Sequence, residues 1–151
     1  MSTADPVESL YRTLLGRWNE RDAAGFGELF ALDGSMVGFD GTSLETPAAI
    51  IDHLTEVFTD HRTASYVAKV REVRSLGNRN ALLRAVAGMV PPGEADLAPA
   101  VNAIHVLVAV ESRDGWRVAH FQNTPAAYDG RPQAVQELTD ELRAVLHSDP
   151  L

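Results

Sequence analysis

The residues best suited to chemistry are concentrated in the segment WRVAHFQNTP, residues 116–125. His120 is a candidate general base, because imidazole titrates near neutral pH. Gln122 and Asn123 offer amide groups that can hydrogen-bond a ligand. Outside this segment, Asp40 is the second candidate for acid-base catalysis. The segment carries no carboxylate that would orient the imidazole, so the alternative is that His120 is a hydrogen-bonded structural residue.

The segment is predicted to be a strand, in which successive side chains point to opposite faces. Its residues form two sets: Trp116, Val118, His120 and Gln122 on one face, and Arg117, Ala119, Phe121 and Asn123 on the other. Since Arg117 is easily placed in solvent, we expect the face with the tryptophan and the histidine to line a pocket. Asn123 has two interpretations: a ligand contact, or a residue that ends the strand by satisfying backbone groups ahead of Pro125.

Large apolar side chains from several predicted elements would converge on one cavity. They are Trp18, Met36, Phe39, Phe58, Tyr66 and Met89. Each alone is also an ordinary core residue, but together they predict an apolar cavity that suits a flat or extended hydrophobic molecule. His105 is a further candidate contact, which faces the cavity or a second subunit, or is a buried histidine held by one hydrogen bond. His53 and His61 are expected to face solvent.

Four helices are predicted to position these side chains. Apolar residues at spacings of three and four indicate the first helix over residues 5–19. A short second helix is predicted over residues 21–32, ended by the Asp-Gly pair at 33–34. The third helix is predicted over residues 46–58, and Pro132 starts a C-terminal helix with an apolar stripe.

The second half of the chain is rich in strand signals. Strands are predicted over residues 64–76 and 80–90, and residues 102–123 form a hairpin around the turn at 113–115. Two short extended pieces are expected within residues 35–46, around an Asp-Gly turn. Helices followed by an antiparallel sheet define an α+β fold, here in a single domain over residues 1–151.

Both faces of the predicted sheet are apolar. In residues 80–90, Leu83 and Ala85 point one way while Leu82 and Val86 point the other. A sheet of this kind must be covered on both sides. Helices can cover one face, so we expect a second copy of the chain to cover the other, which predicts a homodimer.

Composition restricts the possible functions. The chain of 151 residues has 13 lysines and arginines against 21 acids, and its net charge of −8 argues against binding to nucleic acid or to anionic membrane surfaces. There are no cysteines, which fits a reducing cytoplasm. Residues 1–13 lack the basic and apolar regions of a signal peptide. We expect no metal and no cofactor, because the chain has no His and acid cluster at ligand spacing and no phosphate-binding glycine loop.

Two strings carry a resemblance to a known superfamily. RWNERDAAGFGELFALDGSMV (residues 17–37) and DGWRVAHFQNTP (residues 114–125) resemble the nuclear transport factor 2-like superfamily. The resemblance spans roughly residues 7–147 and implies a cone-shaped α+β fold, with a curved antiparallel sheet packed on N-terminal helices and a pocket between them. The ending HFQNTP (residues 120–125) is similar to the SgcJ/EcaC group of the SnoaL-like proteins, which are associated with polyketide and enediyne antibiotic pathways.

The superfamily contains enzymes and non-enzymes, so the fold alone does not give the function. Resemblance to its ketosteroid isomerases implies a tyrosine near Leu14 and an aspartate near Gly38, and neither residue type is present there. Tyr11 lies one turn earlier and Asp40 two residues later. Resemblance to its polyketide cyclases implies an aspartate on the last strand, where this chain offers only imidazole and amide groups.

The resemblance implies an accessory protein of polyketide-derived natural-product biosynthesis, of the enediyne type, which binds an apolar polyene or polyketide intermediate in the cone and promotes its formation or processing. One alternative is a cofactor-free cyclase, isomerase or dehydratase. Another is a non-catalytic module that docks a polyketide synthase or a thioesterase through the open face of the sheet.

Overall fold

The computed structural model describes residues 5–149 and 151, so the N-terminal residues before Asp5, part of the segment without signal-peptide features, lie outside the described residues. The helices are α1 (Pro6–Asn19), α2 (Ala23–Gly27), α3 (Pro47–Asp60) and α4 (Pro132–Ser148), with a 3₁₀ turn at Pro99–Val101. The strands are β1 (Phe30–Val37), β2 (Ser43–Leu44), β3 (Ser65–Gly77), β4 (Asn80–Val90), β5 (Ala103–Ser112) and β6 (Gly115–Pro125). None of the helices in this part of the chain is long and apolar enough to cross a membrane.

The six strands form one curved sheet in the order β2-β1-β6-β5-β4-β3. The four long strands β3 to β6 are antiparallel, as predicted from their short connections. β1 pairs in parallel with β6, so the sheet is mixed rather than wholly antiparallel. A hairpin makes strands that are neighbours in sequence antiparallel, whereas about half of the chain separates β1 from β6, so their relative direction is not fixed by a short connection. The predicted α+β cone fold is confirmed.

Local signals fix the starts of the two helices that border the cavity. The Asp5 carboxylate accepts a hydrogen bond from the backbone N–H of Val7 at 2.7 Å, and Pro6 opens α1. Thr46 caps α3 in the same way through the N–H of Ala49 at 3.1 Å. These caps place the apolar stripes of α1 and α3 against the concave face of the sheet.

The predicted second helix is too long. α2 ends at Gly27, and β1 begins at Phe30, inside the range that was expected to be helical. The backbone N–H of Val118 donates to the carbonyl of Leu29 at 2.9 Å, which joins this segment to β6. Sheet pairing therefore overrides the helical pattern, and Leu32 is left 98% exposed.

The outer face of the sheet is covered in part by the chain's own C-terminal helix. Leu138 and Leu142 of α4 pack on Val67 and Val86 of β3 and β4. Glu141 adds ion pairs from α4 to Lys69 and Arg71 on β3. The rest of this face is half-buried and has no cover among the described residues; we call it the outer strip, formed by Val37, Leu82, Val106, Val108, His120 and Gln122.

Candidate functional site

A cavity of about 240 Å³ lies between α1, α3 and the concave face of the sheet. Seven of the residues predicted to act on a ligand line it: Trp18, Met36, Phe39, Asp40, Tyr66, Met89 and Asn123. Its other wall residues include Leu44, Leu54 and Val57, so most of the lining is apolar. The convergence of apolar side chains from separate elements produces the cavity that the sequence suggested.

Four predicted site residues do not line this cavity. Phe58 lies behind its wall, with its ring 5.1 Å from that of Trp18 in an edge-to-face arrangement. His105 lies behind its floor and is fully buried. His120 and Gln122 point to the opposite face of the sheet, where they belong to the outer strip.

A β-bulge explains why the expected face of β6 is wrong. Val108 pairs with His120 and Ala109 pairs with Val118, so Ala119 has no partner on β5. The extra residue reverses the alternation from that point onward. Trp116 and Val118 therefore pack on the helix side, whereas His120 turns outward.

His120 is held on the outer strip by two hydrogen bonds. Its Nδ1 lies 2.8 Å from the Ser35 hydroxyl oxygen, and its Nε2 lies 2.7 Å from Gln122 Oε1. Both ring nitrogens are thus engaged on the side of the sheet away from the cavity. This geometry matches the structural interpretation of His120 and contradicts its expected role as a general base in the pocket.

Asp40 lies at the mouth of the cavity in the turn between β1 and β2. Its Oδ1 accepts a hydrogen bond from the backbone N–H of Thr42 at 2.9 Å. Hydrogen bonds from Thr42 lower the pKa of Asp40, with a smaller contribution from the nearby His53. A lowered pKa makes this exposed carboxylate a weak base.

His53 was expected to face solvent, but it is half-buried and lines the cavity. The position of His53 on α3 explains why the expectation of a solvent-facing side chain was wrong and which pattern indicated the cavity. The main apolar stripe of the helix runs through Ile50 and Leu54, and His53 lies at the edge of that stripe. It is also four residues before Val57, another lining residue, so the two share one side of the helix.

The Trp-Asn pair at the end of α1 fixes this helix to the start of β3. The indole N–H of Trp18 donates to the carbonyl of Ala64 at 2.9 Å. The Asn19 side chain accepts from the backbone N–H of Tyr66 at 2.7 Å and donates to its carbonyl at 3.1 Å. Because both backbone groups of Tyr66 are held, its ring has a defined position in the cavity wall.

Buried polar side chains form the floor of the cavity. Asn123 Nδ2 donates to the hydroxyl oxygen of Tyr66 at 3.1 Å. Behind it, the Tyr11 hydroxyl lies 2.8 Å from Nδ1 of His105. His105 and Asn123 face each other across β5 and β6. Sequence reasoning missed Tyr11, which matched no expected catalytic position although it is a polar residue on the buried stripe of α1.

All these floor groups are neutral near pH 7. Burial lowers the pKa of His105 to about 3, against a smaller opposing effect of the Asn123 side chain. Burial raises the pKa of Tyr66 to about 12, and it also raises the pKa of Tyr11. The floor can therefore exchange hydrogen bonds with a ligand without carrying charge.

The described residues contain no group of three or more His, Cys, Asp and Glu side chains arranged to hold a metal ion.

Comparisons with known proteins agree on the fold. No protein-family model matches the chain, and no curated protein matches it in sequence. Among solved structures, it is similar to a domain of unknown function with a cystatin-like fold from Nostoc punctiforme PCC 73102, with a TM-score of 0.77, 20% identity, and coverage of 98% of this chain and 100% of that one. A ketosteroid isomerase-like protein from Erwinia carotovora atroseptica SCRI1043 gives a TM-score of 0.63 and 15% identity over 80% of this chain and 94% of that one.

A nuclear transport factor 2-like protein of unknown function from Shewanella oneidensis MR-1 is also similar, with a TM-score of 0.65, 12% identity, and coverage of 80% of this chain and 97% of that one. At these identities the likeness concerns the fold. The chain has the cone-shaped nuclear transport factor 2-like fold, an architecture that it shares with isomerase-like proteins.

Proposed function

We propose that this protein is a cytoplasmic, homodimeric accessory protein of polyketide-derived natural-product biosynthesis, of the enediyne type, and that it binds an apolar intermediate in its cone. The observation that carries the proposal is the apolar cavity of about 240 Å³, with polar groups confined to its floor and its mouth. Sites of this composition suit hydrophobic ligands that carry a few polar atoms.

The size of the cavity favours an elongated ligand. Pockets for small molecules commonly measure about 300–1,000 Å³, so this cavity is small for a complete polyketide. A polyene or polyketide chain would insert one end and leave the rest at the mouth, beside Asp40 and His53. The assignment to the SgcJ/EcaC group, and with it to enediyne pathways, is supported by the HFQNTP motif.

A cofactor-free isomerase, cyclase or dehydratase is the second candidate function. The observation that favours it is the neutral, buried polar floor, where hydroxyl and amide groups face an apolar space. His120 and Asp40 lie on different sides of the sheet, so they cannot act together on one ligand. Asp40 at the mouth remains the candidate base in this mechanism.

The outer strip supports the proposed dimer. Its apolar members are only half-buried within one chain, and α4 leaves them uncovered. A second copy would cover them, so that both apolar faces of the sheet would be shielded from water. The competing use of the same strip is docking of a polyketide synthase or a thioesterase, which requires that the strip be free in solution.

The proposal is tested first by native mass spectrometry of protein purified from its own host. A retained polyene or polyketide in a two-subunit assembly is the expected result. A monomer without ligand that captures a synthase would instead favour the docking module.

Binding of an apolar probe tests the cavity itself. The conjugated hydrocarbon diphenylhexatriene should bind with an increase in its fluorescence, and A103L should weaken that binding by about tenfold or more, because residue 103 lines the cavity and the added carbons fill it. V106L, on the opposite face of the same strand, is the control and should bind normally. Equal binding by A103L and the parent protein would place the probe outside the cavity and contradict the proposal.

A further inference from the structure

The floor of the cavity contains two buried polar atoms without a hydrogen-bond partner among the described residues. They are Nε2 of His105 and Oδ1 of Asn123. His105 is 0% exposed and Asn123 is 6% exposed, so bulk water does not satisfy either atom. Unpaired polar atoms in the interior are costly, so the donor and the acceptor of these two cross-strand neighbours are expected to be directed at each other. The orphan atoms belong to cross-strand neighbours, and Asn123 also lines the cavity.

The direction of the hydrogen bonds follows from the chemistry of each group. An amide nitrogen only donates, so the Tyr66 oxygen accepts from Asn123 Nδ2 and its own hydrogen must point elsewhere. On the other side, Oδ1 of Asn123 only accepts, so a hydrogen on Nε2 of His105 would be directed towards it, although the two atoms do not meet hydrogen-bond geometry in the structure. That tautomer leaves Nδ1 as an acceptor for the Tyr11 hydroxyl at 2.8 Å. The hydrogens then all point one way, from Tyr11 towards Tyr66.

The reverse direction is less favourable. If every hydrogen pointed from Tyr66 towards Tyr11, the chain would end on the Tyr11 hydroxyl, whose hydrogen would have no acceptor. Tyr11 is 0% exposed and packs among apolar residues of α1, so this orphan hydrogen would be costly. In the forward direction the last free hydrogen belongs to Tyr66, which lines the cavity, where a ligand atom can accept it.

We propose that the Tyr66 hydroxyl, oriented by Asn123 and His105, is a hydrogen-bond donor that recognises a neutral carbonyl oxygen at the buried end of the ligand. This inference rests on the proposed binding of an apolar ligand and narrows the ligand class to molecules with a neutral carbonyl group at the buried end. Tyr66 touches the ligand, whereas Tyr11 and His105 are positioning residues that act through Asn123.

The charge of the cavity disfavours ligands that carry a carboxylate at the buried end. Among the described residues no lysine or arginine lines it, and the Asp40 carboxylate lies at its mouth. A ligand carboxylate on the floor would be buried without a cation, which is strongly unfavourable. Burial also holds the pKa of Tyr66 near 12, so the phenol keeps its hydrogen and acts as a donor. The ligand oxygen is therefore a neutral acceptor.

A matched pair of probes tests the inference. 2-Acetylnaphthalene and 2-isopropenylnaphthalene have nearly the same shape, but only the first carries a carbonyl oxygen. Calorimetric titration should show that the wild-type protein binds the ketone about fivefold more tightly, the ratio expected for one net hydrogen bond. In Y66F this preference should disappear while the affinity for the hydrocarbon is retained. Y128F, a tyrosine on the other side of the sheet packed near α4, is the matched control and should keep the preference.

Infrared spectroscopy separates positioning from folding. The carbonyl stretch of the bound ketone should shift to lower frequency in the wild-type protein, and this shift should be lost in Y66F. N123A and H105F should reduce the shift while hydrocarbon binding persists, which an effect on stability alone would not produce. A preference for the ketone that survives in Y66F would overturn the inference, because the donor would then lie elsewhere.

The outcomes also distinguish this inference from the function on which it rests. Equal affinity for both probes in the wild-type protein would overturn carbonyl recognition and leave apolar binding standing. Failure to bind either probe, together with failure to bind diphenylhexatriene, would overturn both. Tighter binding of the ketone that depends on Tyr66 would support both.

Discussion

His105 and His120 lie on adjacent strands but have opposite surroundings. His105 is enclosed by aromatic rings, with the ring centroid of Phe121 at 4.9 Å and that of Tyr66 at 5.3 Å. His120 is bonded on the outer strip to Ser35 and Gln122. The same residue type therefore has two roles. Of these two histidines, only His105 lies next to the cavity, and because it is buried, the stability of the protein depends on pH.

Acidification should destabilise the protein through His105. Its pKa is about 3 in the folded protein, against the ordinary value of 6.5 expected when the chain unfolds. Between these values the unfolded state binds a proton that the folded state does not, so stability rises with pH. The contribution of His105 is complete above about pH 6.5 and is lost as the pH falls towards 3. Urea unfolding should show a loss of roughly 1 kcal/mol per pH unit from this group.

A comparison of variants isolates this contribution from that of the carboxylates. H105F removes the titrating group but keeps an aromatic ring, so its free energy of unfolding should depend less steeply on pH between 6.5 and 4.5. Its stability at pH 7 should be lower, because the Tyr11 hydroxyl loses its buried acceptor. H61F, at an exposed histidine, should keep the steep dependence. Parallel pH profiles for H105F and the parent protein would contradict the prediction.

At the scale of elements, the features that depend on local sequence signals were predicted correctly. Capping residues and proline positions marked the starts of α1 and α3, and the turn at 113–115 marked the hairpin of β5 and β6. The features that depend on contacts with residues distant in the chain were predicted less well. The parallel pairing of β1 and the bulge at Ala119 are set by the neighbouring strands, and alternation within one strand contains no information about either.

The close contact of β1 with β6 depends on Gly34. A Cβ atom at this position would lie 2.8 Å from the carbonyl oxygen of Val118 and 2.9 Å from that of Ala31. Both neighbours are backbone atoms that cannot rotate away, so G34A should force β1 from β6 and destabilise the protein by about 1–3 kcal/mol. The free energy of unfolding in urea measures the effect.

Gly16 provides the control for that substitution. A Cβ atom there would meet nothing within 4 Å, and the residue lies inside α1. G16A should therefore stabilise the protein by roughly 0.5–1 kcal/mol, because alanine favours the helix over glycine. If G34A were as stable as the parent protein, the approach of the two strands would not require glycine.

At the scale of the whole molecule, the sheet separates two functions. Its concave face and the N-terminal helices enclose the cavity, while its outer face carries α4 and the outer strip. Sequence reasoning identified the apolar cavity because large apolar residues in separate elements must converge somewhere in a domain of this size. The sequence did not predict which polar residues of β6 lie on which face of the sheet. The bulge places Asn123 at the cavity floor and His120 on the outer face.

The outer strip gives a prediction for the assembly. Val108 is at the centre of β5 and pairs with Leu82 on one side and His120 on the other. If a second copy covers this strip, V108E buries an unpaired carboxylate in the interface and should shift the protein from dimer to monomer at micromolar concentration. Sedimentation equilibrium measures the change. L32E, at a residue that is 98% exposed in β1, is the control and should remain dimeric.

The same variant tests whether the cavity depends on the assembly. A single chain supplies the walls and the floor of the cavity described above, so monomeric V108E should bind diphenylhexatriene with nearly the affinity of the parent protein. Loss of binding on dissociation would mean that the partner subunit closes or stabilises the mouth. A parent protein that is already monomeric at micromolar concentration would contradict the dimer, and the outer strip would then be free to dock a synthase or a thioesterase.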